Sequence, residues 1–343
     1  MKYGLLLPHF GEEANRDKLL RGARRAEALG FDSLWVRDHL VYEPHGELER
    51  PDRTFYEALT TLTAVGAVTT RIGLGTAALI PFRHPLVLAQ TVTSMTHLLG
   101  PRLILGLGVG AYEHEFEAVG LGSVDRHGLL RAHVETLRRV MTEADVSYQD
   151  EHIRFERVTI EPKPLGGPIP LWHCGTSPRS ARLAAELFDG WMPGRISMRT
   201  LERRVRTIEE LSAATGRARP AIGVIPPTSI EATREEALAH VNVRGLLVWA
   251  NKARFAVPPP SGRFETAADL EGQLVAGTPD DVVAECRRFE ALGLDQLVFD
   301  LRFRFDRWFE QVERLGADVL PRLGADVLPR LGAGLPVGGG TPR

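Results

Sequence analysis

The stretch RLILGLGVGAYEHEFEAVG, residues 102–120, runs from an apolar segment directly into a series of glycines. Within it, Gly106, Gly108 and Ala111 satisfy the relaxed G-x-G-x-x-G/A pattern of a dinucleotide-binding loop. The same letters also suit a glycine turn at the end of a strand in a different fold. A single match of this kind is weak evidence, so the rest of the chain has to decide between the two interpretations.

Short apolar runs alternate with amphipathic segments along the chain. The apolar runs, which predict strands, are residues 3–7, 32–36, 71–77, 102–108, 169–174, 189–193, 221–227 and 295–301. The clearest amphipathic segments, which predict helices, are residues 16–30, 55–69, 84–100, 127–142, 175–187 and 279–293. Strands that are apolar on both faces are typical of a parallel sheet covered by helices. The pattern therefore predicts an α/β fold, a (β/α)8 TIM barrel.

Two segments interrupt this alternation and predict insertions after strands 4 and 7. Residues 146–160 have the pattern of a small hairpin, and residues 228–277 form a longer excursion. Insertions on barrels usually shape the site at the C-terminal ends of the strands. The aromatic residues Trp249, Phe255 and Phe264 indicate either a partly apolar pocket or the packing of the excursion itself.

The barrel context bears on the glycine stretch. A dinucleotide loop should open the first strand–helix unit, with an acidic residue closing a strand about 20 residues later. Here the glycines end the fourth strand, and Asp125 precedes a helix. The sequence therefore favours a strand-to-helix turn.

Composition limits the classes of function. The 343 residues are 43% hydrophobic with a net charge of −2, which is typical of a soluble globular protein and gives no reason to expect nucleic-acid or membrane partners. No apolar run is long enough to span a bilayer and no signal-peptide pattern is present, so we expect a cytoplasmic protein. Cys174 and Cys286 are too few for a disulfide framework or a cysteine zinc site, and no metal site is predicted.

The C-terminal end contains a tandem duplication. LGADVLPR occupies residues 315–322 and again residues 323–330, and a glycine-rich end follows. We expect one domain over residues 1–322. Residues 323–343 are predicted to be a flexible tail outside the core and the site, because a helix cannot run through Pro321 and the glycine-rich end lacks apolar content.

Several polar residues follow predicted strands, where barrel enzymes keep their working groups. Gly175, Thr176 and Ser177 precede a helix whose N-terminal N–H groups would suit a phosphate, although an ordinary Ser cap explains the same letters. Asp38 and His39 close strand two, and a histidine there can transfer a proton or simply form structural hydrogen bonds. His9 is a second candidate for the mouth of the barrel, and His173 and Cys174 are expected in the pocket wall.

Four ordered blocks give the chain a family resemblance. Residues 26–40, 71–90, 102–120 and 170–193 resemble, in order and spacing, the bacterial-luciferase-like (LLM class) flavin-dependent oxidoreductases. The chain is most similar to the branch that depends on the deazaflavin coenzyme F-420 (F420). The resemblance covers residues 1 to about 228 and resumes at residues 277–301.

The resemblance implies a flavin ring at the C-terminal mouth of the barrel and a homodimer. It also implies that His39 is catalytic and that a non-proline cis peptide joins two alanines behind the ring. The residues that it assigns to cofactor binding are Asp38, Thr76, Ala77, Ala78, Val109, Gly110, Gly175, Thr176 and Ser177. In sugar-phosphate dehydrogenases of this branch a catalytic glutamate follows the glycines, but this chain has Ala111 there. Glu113 and Glu115 lie nearby, and we expect both on the solvated surface of a helix.

The implied function is hydride transfer between reduced F420 and a small organic substrate. An FMN-dependent monooxygenase, which uses reduced flavin and oxygen, is the main alternative, and a non-catalytic flavin-binding protein is a third. An aldolase barrel would need a lysine at the end of a strand, and Lys2, Lys18, Lys163 and Lys252 do not meet that condition. A metal-dependent hydrolase would need a His-x-His pair on strand one, where only His9 is present.

Overall fold

The computed structural model describes residues 1–44 and 48–324, and it confirms the predicted barrel. Its strands are β1 (Lys2–Leu6), β2 (Ser33–Val36), β3 (Gly73–Leu79), β4 (Leu103–Leu107), β5 (Val146–Gln149), β6 (Arg154–Val158), β7 (Leu171–His173), β8 (Gly190–Trp191), β9 (Ala221–Val224), β10 (Thr228–Ile230), β11 (Val275–Gly277) and β12 (Gln296–Phe299). Within the described residues, eight parallel strands close a barrel in the order β1-β12-β9-β8-β7-β4-β3-β2.

The helices cover the outside of the barrel or extend over its mouth. They are α1 (Arg16–Ala28), α2 (Ala58–Gly66), α3 (Pro85–Leu99), α4 (Glu113–Ala118), α5 (Arg126–Val140), α6 (Pro178–Leu187), α7 (Met198–Thr215), α8 (Arg234–Ala239), α9 (Val243–Lys252), α10 (Pro279–Ala291) and α11 (Trp308–Arg314). Of these helices in the described part of the chain, none is long and apolar enough to cross a membrane.

The helix ends follow the local sequence signals. The side chain of Asn15 accepts the N–H of Lys18 at the start of α1, at 2.9 Å. Thr278 and Asp281 form a reciprocal capping box at the start of α10, with Pro279 in its first turn. Such caps satisfy N–H groups that have no partner inside the helix.

The glycines of the stretch 102–120 allow β4 to pack closely against β3. A Cβ on Gly106 would lie 2.0 Å from the carbonyl oxygen of Thr76, and one on Gly108 would lie 3.1 Å from the Cβ of Ala78. Gly110 turns the chain out of the strand with φ +73°, in the left-handed region that favours glycine. The barrel and these contacts exclude the dinucleotide-loop interpretation.

Two segments stand outside the barrel alternation. The β5–β6 hairpin packs against α5, where the hydroxyl of Tyr148 donates to Glu135 at 2.9 Å. The segment between β9 and β12 has a small apolar core of its own, which includes Leu246, Ala250 and Phe264. Phe264 therefore packs the excursion, and it is not among the described residues that line the cavity at the mouth of the barrel.

The C-terminal duplication is described only through Gly324. The first copy of the octapeptide buries Leu315, Val319 and Leu320 against the barrel. Leu323, the first residue of the second copy, also packs against that core, so the prediction that residues from 323 onward stay clear of it is wrong for this residue. The remainder of the predicted tail, residues 325–343, lies outside the described residues.

Candidate active site

A cavity of about 440 Å³ opens at the C-terminal ends of the barrel strands. Its lining includes five of the predicted site residues, and side chains that follow β8 or lie on α9 close its other side. The predicted residues are Asp38, His39, Ala77, Ala78 and Thr176, and the facing ones include Arg195, Trp249 and Lys252. A second cavity of about 330 Å³ lies beside the first, and Arg302 lines both. None of the predicted site residues is among the described residues that line this second cavity.

His39 is held between a carboxylate and a guanidinium. Its Nδ1 lies 3.2 Å from each carboxylate oxygen of Glu115, and its Nε2 lies 3.1 Å from Nη2 of Arg37. A guanidinium can only donate, so Nε2 accepts and Nδ1 carries the proton that is donated to Glu115. These partners fix the tautomer of a neutral His39.

The sequence interpretation placed Glu115 wrongly. It is 1% exposed, whereas Glu113 is exposed as expected. Besides His39, Glu115 accepts the backbone N–H of Leu40 at 2.8 Å. Burial acts to raise the pKa of Glu115, but the hydrogen bonds from His39 and from the backbone outweigh it and hold this pKa below its usual value. The signal available in the sequence was the position of Glu115 just beyond the glycine turn.

Asp38 uses both carboxylate oxygens within the protein. It accepts Arg83 Nη1 at 2.7 Å and Arg83 Nη2 at 2.9 Å, and it also accepts the N–H of Ile80 at 3.1 Å. The two residues form a bidentate ion pair in which the Asp38 side chain is 1% exposed. Asp38 therefore anchors the loop that follows β3 while it contributes to the wall of the cavity.

The segment after Thr76 has the predicted unusual backbone. The Ala77–Ala78 peptide bond is cis, as the family resemblance implied, and the pairing of β3 with β4 shifts register between Thr76 and Leu79. Both alanines line the cavity. Thr76 is fully buried, and its hydroxyl donates to the carbonyl oxygen of Gly106 at 2.9 Å. Thr76 thus supports the bulge from behind.

The glycine turn contributes less lining than expected. Of the described residues in this turn, Ala111 lines the cavity, whereas Val109 and Gly110 do not. Val109 packs against the core, and Gly110 lies close to Phe116.

The loop 175–177 has the helix cap that the sequence suggested, and Thr176 lines the cavity whereas Gly175 and Ser177 do not. Ser177 caps α6, since its Oγ accepts the N–H of Ser180 at 3.1 Å, and Pro178 is the first helical residue. Thr176 is exposed at the cavity. The carbonyl oxygen of Gly175 accepts Nε1 of Trp191 at 2.9 Å, which fixes the loop against β8. A capped helix N-terminus that faces a cavity remains suited to a phosphate.

Sequence reasoning missed Arg195. Its guanidinium carbon lies 4.3 Å from the centre of the Trp249 ring, and its buried Nε has no hydrogen-bond partner among the described residues. Burial, together with the nearby charges of Arg302 and Arg37, lowers its pKa to about 9. Its place just after β8 was a signal that could have identified it.

Two other candidates are interior residues. His9 is fully buried, so the prediction that it faces the mouth is wrong; burial lowers its pKa to about 3. Burial also lowers the pKa of His173, to about 4, while its ring stacks on Phe188 at 4.9 Å. Burial also raises the pKa of the Cys174 thiol. Neither His173 nor Cys174 is among the described residues that line the cavity, contrary to the place expected for them in its wall.

Comparison with known proteins agrees with this fold. The family model described as luciferase-like monooxygenase matches residues 1–296. The chain is 29% identical over 321 residues to an F420-dependent glucose-6-phosphate dehydrogenase of Intrasporangium calvum, over 87% of this chain and 92% of the relative. A dehydrogenase with the same description from Segniliparus rotundus is 30% identical over 305 residues, which cover 84% and 89% of the two chains.

Solved structures share the fold at low sequence identity. The coenzyme F420-dependent tetrahydromethanopterin reductase of Methanopyrus kandleri superposes with a TM-score of 0.75 at 19% identity, over 94% of this chain and 99% of that one. The oxygenating constituent of 3,6-diketocamphane monooxygenase of Pseudomonas putida, in complex with FMN, gives 0.73 at 19% identity, over 94% and 98%. Because the family model covers most of the sequence, the chain belongs to the luciferase-like monooxygenase family.

Proposed function

We propose that this protein is an F420-dependent oxidoreductase that transfers hydride between the coenzyme and a small organic substrate. One observation supports this most strongly: a single cavity joins the tautomer-fixed His39 to the Ala77–Ala78 wall and to Thr176 at the start of α6. The three features provide, in turn, a proton-transfer group, a small-residue surface for a planar ring and an anion-binding helix end.

The residues present fit a flavin-like coenzyme. Ala77 and Ala78 offer only methyl groups to the cavity, so a ring can lie close to this wall. The exposed Thr176 and the helix dipole at the start of α6 suit its phosphate, although Pro178 has no N–H and that of Ser180 is already accepted by Ser177. When bound, the deazaflavin supplies the ring carbon that accepts or donates hydride.

His39 would hold or move the proton that accompanies this transfer. In the resting site the lone pair of Nε2 accepts from Arg37, so His39 would take up a proton there once this hydrogen bond is released. The carboxylate of Glu115 would stabilise the resulting imidazolium through Nδ1. Trp249 and Arg195 also line the cavity, where they would limit the access of water.

F420 is favoured over FMN because relatives named for F420 align with more than four-fifths of the chain. An FMN-dependent monooxygenase stays the alternative, since a neighbour of the same fold was solved with FMN. Titration of the purified protein with each cofactor distinguishes them. We expect F420 fluorescence to change at micromolar or lower protein concentration, with weaker FMN binding. Micromolar FMN binding with no affinity for F420 would exclude the proposal.

The substrate is proposed to carry an anionic group. Arg195 lines the cavity, and its guanidinium has no acidic partner among the described residues. A carboxylate or phosphate of the substrate would pair with this guanidinium. Ala111 stands where the sugar-phosphate dehydrogenases of the family have their catalytic glutamate, so we do not propose their reaction for this chain.

We also propose that the protein is a cytoplasmic homodimer. On α3, Leu98 is 76% and Val87 is 57% exposed, and their spacing of eleven residues puts them on one side of the helix. Covering these two exposed side chains would be favourable in a dimer. The free thiols Cys174 and Cys286 are compatible with a reducing compartment. The molar mass in solution and cell fractionation test these two statements.

A further inference from the structure

A groove beside α6 gathers four arginines that the proposed function leaves unexplained. This arginine groove has a volume of about 370 Å³ and is lined by Arg182, Arg203, Arg204 and Arg254, together with Pro178 and Phe255 among others. Its described lining contains no acidic residue. None of the four guanidiniums has a carboxylate within 4 Å in the described part of the chain. The groove therefore holds positive charge without internal compensation, in a protein whose net charge is −2.

Arg204 connects this groove to the cavity. It is 4% exposed, and its Nε donates to the carbonyl oxygen of Thr176 at 3.4 Å while its Nη2 donates to that of Phe255 at 3.1 Å. Burial, and then the nearby charge of Arg203, lowers the pKa of Arg204. A buried charge without a counter-ion is unfavourable, and a bound anion would relieve this. The carbonyl that Arg204 contacts belongs to the loop proposed to bind the coenzyme phosphate.

Three separate parts of the fold supply the arginines. Arg182 is on α6, Arg203 and Arg204 are on α7, and Arg254 follows α9. A second groove along α7 continues from the first, shares Arg203 with it, and adds Arg199 and Arg206 alongside Glu202 and Glu210. The two grooves together place arginines along α6 and α7.

We propose that the arginine groove binds the carboxylates of the coenzyme's tail. Beyond its phosphate, F420 carries a chain of glutamates with one free carboxylate or more per unit, whereas FMN ends at the phosphate. A polyanion of that kind matches a row of arginines that begins beside Thr176. This inference rests on the proposed function. Binding of the tail in the arginine groove gives the protein a physical basis for preferring F420 to FMN.

The test compares tail lengths in the full-length protein. Dissociation constants are measured by fluorescence for F420 with one glutamate and for F420 with five or more, at low and at high salt. The variant Arg182→Ser/Arg203→Ser/Arg254→Ser removes three exposed arginines and keeps the buried Arg204. The matched control Arg16→Ser/Arg24→Ser/Arg217→Ser removes three exposed arginines elsewhere.

We expect the wild type and the control to bind the long-tailed coenzyme about tenfold more tightly than the short-tailed one, because several exposed ion pairs each contribute modestly. The preference should shrink at high salt. The groove variant should bind both forms equally, with unchanged affinity for the short form and an unchanged melting temperature.

Two results would overturn the inference and leave the proposed function intact. One is a wild type that binds both tail lengths equally. The other is a groove variant that keeps the tail preference or loses affinity for both forms alike. A protein that binds neither form of F420 but binds FMN contradicts the proposed function itself.

Discussion

Glu115 fixes the orientation of His39: each of its carboxylate oxygens lies 3.2 Å from Nδ1 of the imidazole. The two residues are 76 positions apart, one on α4 and the other just after β2. In the proposed function Nε2, which accepts from Arg37, is the nitrogen that exchanges a proton, and this leads to the first two predictions.

Replacing His39 by alanine should slow turnover much more than it weakens coenzyme binding. A positioned proton donor or acceptor typically contributes about 10²–10⁴-fold to the rate. Steady-state kcat and the F420 dissociation constant are measured for wild type and His39→Ala. An unchanged kcat would show that His39 has a structural role and not a catalytic one.

Glu115→Gln should lower kcat by less than His39→Ala does, while KM and coenzyme affinity stay near wild type. The amide keeps an oxygen for the N–H of Leu40 but removes the charge that stabilises a protonated His39. Glu113→Gln is the matched control, since Glu113 is exposed on the same short helix. Equal losses in both variants, or a loss confined to the folding yield of Glu115→Gln, would contradict the positioning role.

Stability should decrease as the pH falls below about 6.5. The folded-state pKa values of His9 and His173, about 3 and about 4, lie below the ordinary 6.5, so the unfolded chain binds more protons in that interval. Each histidine then lowers the free energy of unfolding by about 1.4 kcal/mol per pH unit, and its contribution is fully present above pH 6.5. Urea unfolding at pH 7, 6 and 5 measures this slope.

The pH dependence of stability should be less steep in the variant His173→Phe, by the contribution of one histidine, because this variant lacks one of the buried histidines whose pKa is lowered. His240→Asn, which removes an exposed histidine, should keep the slope of the wild type. If all three proteins show the same slope, burial of His173 does not govern the pH dependence.

Gly106→Ala should destabilise the barrel. The new methyl group would lie 2.0 Å from the backbone oxygen of Thr76, which cannot move without breaking the bulge that forms the cavity wall. Overpacking typically costs about 1–3 kcal/mol. Gly194→Ala is the control, because nothing lies within 4 Å of its added Cβ. The melting temperatures of the two variants test this prediction. Equal values would show that β4 accommodates the added methyl group without a loss of stability.

A structure with bound coenzyme, or one with inorganic phosphate or sulfate, should place the anion within hydrogen-bonding distance of Thr176 and Ser177. The N–H groups at the start of α6 and the helix dipole favour negative charge there. Ser177→Ala should weaken coenzyme binding and remove the cap, which contributes about 1 kcal/mol. A phosphate bound at another loop would refute this assignment.

Much of this protein could be predicted from local sequence. Apolar runs with intervening amphipathic segments specify parallel strands and outer helices, because burial on both faces of a strand leaves few alternatives. Caps such as Ser177 and Thr278 depend on neighbours three residues away, so their hydrogen bonds were predictable as well. The cis bond at Ala77–Ala78 followed from family resemblance and not from propensity.

Only the tertiary structure decided which polar residues meet. The helical position of Glu115 suggested solvent, yet the fold turns it inward against His39, since a short helix after a turn can present any face to the barrel. The same holds for His9, which the fold buries, and for Arg195 and Arg204, whose surroundings come from distant segments. Burial and long-range contact set the charge environment of a side chain, and neither quantity is encoded in its immediate neighbours.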